Sequence, residues 1–169
     1  MTGGEAPSGI VDPPASSAPR RRRCKLFISY SHFDDPHRER LDRHLAALRR
    51  DGAVDIWPDH RIAPGEGWRV AIGEALREAD VILLLISADF IASDFCVDVE
   101  MTHAIERHRR GTAHVIPIAV RSADWGDMPF ASLKALPRDR KPVALWPDRD
   151  EAWTEVAEGI RRVVAGLLT

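Results

Sequence analysis

Long apolar runs are missing from this chain. Even Val81-Ile82-Leu83-Leu84-Leu85-Ile86 is far short of the ~20 residues that cross a bilayer, and the N-terminus lacks the apolar stretch of a secretory signal. No membrane partner is therefore expected. Cysteine is scarce too: Cys24 and Cys96 stand far apart and form no C-x-x-C pair, which excludes a disulfide framework and a structural zinc site. A reducing, cytoplasmic setting is the expectation. Nor does charge of one sign dominate, since 24 basic residues face 26 acidic ones for a net charge of −2. Nothing in that balance calls for nucleic acid. What is present, 44% hydrophobic and 30% charged residues over 169 positions, suits one globular domain with a core that needs no covalent staple.

Several chemistries are missing as well. There is no G-x-x-x-x-G-K-[ST] phosphate loop, no H-E-x-x-H zinc motif and no G-x-S-x-G nucleophile elbow. Gly65-Glu66-Gly67-Trp68-Arg69-Val70 begins like a dinucleotide fingerprint but ends in Val and follows the second strand, so a Rossmann site is disfavoured. His103 and His108 stand about 140° apart around a helix and do not share a metal, and no metal site is expected. Trp-Pro-Asp occurs at Trp57 and again at Trp146, yet neither cysteine is followed by the Arg that a phosphatase cradle requires. Asp34, Asp35 and Asp89 resemble the acids of receiver domains, but Lys141 begins its strand where such a site needs a Lys at the end.

Residues 1–23 are rich in Gly, Pro, Ser and Ala, end in the run Arg20–Arg23, and read as a disordered tail. From Cys24 to Thr169 short apolar runs alternate with helical patterns, the signature of βαβ units. Strands are expected at Lys25–Tyr30, Val54–Trp57, Val81–Ile86, His114–Val120 and Lys141–Trp146. Helices are expected at about Pro36–Arg50, from Trp68, from an N-cap at Ser93 to about Arg110, and from Asp150 onward. The fold class is thus α/β: a flavodoxin-like five-stranded parallel sheet of order 2-1-3-4-5, with helices on both faces. Such sheets bind ligands beyond the carboxyl ends of their strands, at the switch point between the first and third.

Leu26-Phe27-Ile28-Ser29-Tyr30-Ser31, then Trp57-Pro58-Asp59 with Ile62-Ala63-Pro64-Gly65-Glu66-Gly67-Trp68, then Ser93-Asp94-Phe95-Cys96-Val97-Asp98-Val99-Glu100 resemble three motifs of the TIR (Toll/interleukin-1 receptor) family, in the family's order. Phe130, Leu136-Pro137 and the Trp146-Pro147 strand end add a likeness to its bacterial members. The resemblance implies one of two functions. One is an NAD glycohydrolase or cyclase that cleaves the nicotinamide N-glycosidic bond, with NAD as substrate and no resident cofactor. The other is a non-catalytic adaptor that signals through TIR-to-TIR contact. It also implies homotypic assembly, a possible separate sensor protein and a role in innate immunity.

The resemblance carries roles onto particular residues. Glu100 is the implied catalytic acid, with Asp98 as the fallback. One carboxylate suffices, because nicotinamide leaves as a neutral molecule and needs no proton, while a negative charge stabilises the developing oxocarbenium ion. Where most of the family has Trp four residues before the Glu, this chain has Cys96, with Phe95 beside it. Trp57 is either a ring that stacks on the dinucleotide or one packed at a strand end. Ser29, Tyr30, Ser31 and His32 leave the first strand where ligands bind, although turn capping and, for Tyr30, core packing are equally open. Asp59 and Cys96 complete the implied substrate contacts. Pro64, Gly65, Glu66 and Gly67 form a loop by composition, which the resemblance makes the BB loop that docks on the next subunit.

Overall fold

The computed structural model describes residues 21–57, 68–93 and 99–169. Strand β1 (Cys24–Ser29) leads through a 3-10 turn (His32–Asp34) into α1 (Asp35–His44) and α2 (Ala46–Arg50). The helix expected over Pro36–Arg50 is therefore divided at Leu45. Leu41, Leu45 and Leu48 still form one buried stripe across the division. Gly52, at φ 69°, ends this element in the left-handed conformation that only glycine adopts cheaply. Strand β2 (Val54–Ile56), helix α3 (Trp68–Glu78) and strand β3 (Val81–Ile86) follow.

The six side chains of β3 are all inaccessible to solvent, which is why this run carries no polar residue on either face. Truncating one such Leu costs about 2–5 kcal/mol. Beyond β3 come α4 (Ala88–Ala92), α5 (Val99–Arg109), β4 (His114–Ala119) and α6 (Arg149–Leu168). The start of the helix that Ser93 is expected to cap lies outside the described residues. Ser87 caps α4 by accepting from the Phe90 N–H, and Ser93 stands at that helix's C-terminal end, its hydroxyl donating back to the Phe90 carbonyl.

Among the described residues the sheet has four parallel strands in the order β2-β1-β3-β4, which corrects the expected count of five. Lys141–Trp146 is not a strand. Pro142 offers no N–H, Val143–Leu145 winds into a 3-10 turn, and the Trp146 indole donates to the Lys141 carbonyl at 3.0 Å, folding the segment onto itself. The edge of β4 is met instead by Leu136, whose N–H donates to Pro117 O at 2.9 Å while Ala119 N–H donates to Leu136 O at 2.8 Å. Pro137 stops that pairing after a single residue.

Alternation along the strands separates two apolar layers. Leu26, Ile28, Leu83, Leu85 and Ile118 face α1, α2 and α6, where Trp153, Val156 and Ile160 are buried. Phe27, Ile82, Leu84 and Ile86 face α3, α4 and α5. Cys24 lies in the first layer, its thiol pushed up to about 11 by burial and then by Asp80, so it stays protonated and unreactive. No described helix is long and apolar enough to cross a membrane. Just before β1 the exposed Arg22 reaches Asp80 at 2.9 Å.

Candidate active site

Three strands end in one polar cluster. Asp34 follows β1, Ser87 follows β3 and Arg121 follows β4, and their side chains meet. The Arg121 Nε donates to Asp34 at 2.7 Å, the Ser87 hydroxyl donates to the other Asp34 oxygen, and the second arm of Arg121 reaches Asp89 on α4. Asp34 and Ser87 are inaccessible to solvent. A buried carboxylate is tolerated only when paired and hydrogen-bonded, and this one is. The hydrogen bond to Asp34, then that to Asp89, raises the Arg121 pKa further above its ordinary value, so the guanidinium is permanently charged. The cluster fixes the relative positions of the strand ends on which a ligand would rest. Spacing alone did not bring these residues together; the one signal for them is that Ser87 and Arg121 are polar residues placed directly after apolar strands.

The residues leaving β1 follow from this frame. Ser29 and Ser31 are buried, and the Ser31 oxygen accepts from the Phe33 N–H to cap the 3-10 turn. Tyr30 is half-buried against the α1 layer with the Arg38 guanidinium 5.4 Å over its ring. His32 is exposed, its ring 4.1 Å from that of Phe33, which is itself 66% exposed. The edge where ligands bind in such sheets thus presents a histidine and an exposed aromatic ring.

Glu100 lies in the first turn of α5 and is half-buried. It makes no hydrogen bond or ion pair among the described residues. What faces it is Gly73 of α3. A Cβ at Gly73 would stand 3.7 Å from the Glu100 Oε1 and 3.4 Å from the Arg77 Nη2, so a carboxylate and a guanidinium both approach the same glycine. Since α5 is the connection from β3 to β4, its first turn lies at the carboxyl end of the sheet.

Trp57 directly follows β2. Its ring packs 5.4 Å from Phe27 and borders a recess of about 130 Å³ with Lys25, Asp55, Ala75 and Glu78, beneath α3. Asp59, Pro64, Gly65, Glu66, Gly67, Cys96 and Asp98 lie outside the described residues. Among the described residues no cluster of His, Cys, Asp and Glu is arranged to hold a metal ion.

Comparison with known proteins places these features in context. A family model described as TIR domain matches residues 26–158. The uncharacterized protein y4lF of Sinorhizobium fredii is 49% identical over 144 residues, which are 85% of this chain and 44% of that protein. The disease resistance protein RML1A of Arabidopsis thaliana is 30% identical over 84 residues, 50% of this chain and 8% of that protein. This chain therefore spans less than half the length of either relative. Among solved structures, the TIR domains of the activated Roq1 resistosome, which directly recognizes the pathogen effector XopQ, are similar at a TM-score of 0.48 and 17% identity, covering 80% of this chain and 84% of that one.

Proposed function

This chain belongs to the TIR domain family, and from that premise we propose that it signals by cleaving NAD at the nicotinamide N-glycosidic bond, with Glu100 as the catalytic carboxylate. The observation that carries the reading is the state of Glu100: half-buried, at the carboxyl end of the sheet, without an ion-pair partner among the described residues and facing a bare glycine. A carboxylate kept only for stability would be paired or fully solvated.

The chemistry is simple. The bond between the ribose C1′ and the pyridinium nitrogen breaks, and its electron pair leaves with nicotinamide as a neutral molecule. The C1′ centre becomes cationic, and the Glu100 charge stabilises it more than it stabilises the ground state. Water then adds its oxygen to C1′ and releases one proton, or an internal nucleophile of the same molecule closes a ring. Ser29 and Ser31 hydroxyls and His32 supply hydrogen-bonding groups at the strand end. Assembly through the loop containing Pro64, Gly65, Glu66 and Gly67 completes the proposal, since head-to-tail contacts of this kind build open filaments.

The test follows free nicotinamide from purified protein and NAD over a wide dilution series, for the parent chain and for Glu100→Ala. The parent releases nicotinamide with specific activity that rises with concentration, and the variant folds but releases none. A variant as active as the parent removes Glu100 from the mechanism; a parent that is inert at every concentration leaves adaptor signalling through TIR-to-TIR contact as the function.

A further inference from the structure

On the face of the sheet opposite Glu100, α1 and the N-terminal part of α6 border a cleft of about 340 Å³. Its charged lining is Arg40, Arg43, Arg149 and Glu39, with His37 on the wall and Trp153 at the floor. Three guanidinium groups thus meet one carboxylate in a chain whose net charge is −2.

Local acids do not neutralise this excess. Asp35 is engaged by Arg38 at 3.0 Å, Asp42 by Arg49 at 2.8 Å and Asp150 by His44 at 3.3 Å. Arg40, Arg43 and Arg149 have no ion pair among the described residues. Three cations against the single Glu39 carboxylate leave the concavity with an excess of positive charge that an entering anion would neutralise. His37 supplies an uncharged donor and acceptor beside them: burial lowers its pKa below the ordinary histidine value, and Arg121 and Arg149 lower it further against the opposing pull of Asp34.

The shape selects among anions. The volume is at the small end of metabolite sites, and the cleft is closed beneath by the buried Trp153 ring. Nucleic acids are followed by extended basic stripes along a surface, not held in one small hollow. Guanidinium forks match phosphate oxygens two at a time. We propose that this cleft binds a small phosphorylated ligand, of the pyrophosphate or phosphate-monoester class, at a site separate from that of Glu100. Because its walls come from α1 and α6, an occupant would tie the two helices together.

Inorganic pyrophosphate is the probe. Titration calorimetry and thermal melts at physiological ionic strength, with chloride matched for ionic strength, compare the parent chain, Arg43→Ala/Arg149→Ala, Arg43→Glu alone and Glu100→Gln. The parent binds saturably and its Tm rises. The double variant loses at least ~tenfold in affinity, the Arg43→Glu variant loses the Tm rise, and Glu100→Gln behaves as the parent. All the altered arginines are exposed, so circular dichroism should be unchanged. The proposal is overturned by absence of saturable binding, by equal binding in the arginine variants, or by loss of binding in Glu100→Gln. It is equally overturned if a single-stranded oligonucleotide at equal phosphate concentration binds more tightly than pyrophosphate and depends on the same arginines.

Discussion

Asp34 and Glu100 both belong to the carboxyl end of the sheet, yet their surroundings are opposite. Asp34 is inaccessible to solvent and accepts from Ser87 and Arg121, while Glu100 is half-buried and accepts from no described residue. The same functional group is held in two different states. Where both oxygens are consumed by fixed partners, the carboxylate holds elements together and is unavailable to a substrate. Where they are left unengaged, the protein forgoes that stabilisation, which is the state the proposed reaction asks of Glu100.

The comparison breaks most easily on stability. Asp34→Ala leaves the Ser87 hydroxyl buried without its acceptor and frees Arg121 from its best partner. Removing one member of a buried pair costs about 3–5 kcal/mol, and the 36% exposure of Arg121 lets water recover part of that, so a loss of about 2–3 kcal/mol is expected. Urea unfolding reads this directly. Glu100→Ala measured alongside should stay within about 0.5 kcal/mol of the parent. Equal losses in the two variants would erase the distinction.

Much of this architecture is legible from residues alone, and the misses have physical causes. Val81–Ile86 falls where its unbroken apolar run placed it, because a strand buried on both faces needs no alternation. Lys141–Trp146 reads as a strand by the same reasoning but is a turn, because the decisive contacts, the indole to the Lys141 carbonyl and the pairing of Leu136 with β4, are tertiary. Asp34 is visible only as one acid among several, since its partner Arg121 is 87 residues away. Glu100 is singled out by the resemblance of its motif and not by spacing. Nothing in the sequence pairs it with Gly73, because that contact depends on how α3 and α5 pack.

A smaller effect sharpens the contrast between a glycine that leaves room and one that is crowded. At Gly73 an added Cβ would meet the movable tip of Arg77 at 3.4 Å and Glu100 at 3.7 Å, ordinary contact distances. Gly73→Ala should therefore stabilise α3 by about 0.5–1 kcal/mol. At Gly159 of α6 the Cβ would stand 2.7 Å from both Cδ atoms of Leu136 and 3.3 Å from its Cγ, so the whole side chain must move. Overpacking of that kind costs about 1–3 kcal/mol and exceeds the helical gain, leaving a net loss of about 1 kcal/mol. Thermal melts that shift in the same direction for both variants would contradict this packing.

The smallest expected effect is a pH dependence, and it comes from two histidines away from Glu100. His108 accepts the Val115 N–H on Nδ1 at 3.0 Å, a bond that exists only while that nitrogen carries no proton. Burial, then the neighbouring His114, lowers its pKa, and His37 is lowered first by burial as well. The unfolded chain takes up these protons near the ordinary value of 6.5, while the folded chain resists until the pH is lower. Within that interval the unfolded state binds more protons, so stability rises with pH. The contribution is complete above about pH 6.5 and declines as the pH falls through it toward the lowered folded values. Urea unfolding at pH 7.5 and 5.5 measures the slope, and His108→Gln, which cannot titrate, should reduce it while His37→Gln reduces the remainder. A parent chain equally stable at both pH values, or a slope that neither substitution alters, would show that the His108 acceptor bond and the burial of His37 do not govern stability in this range.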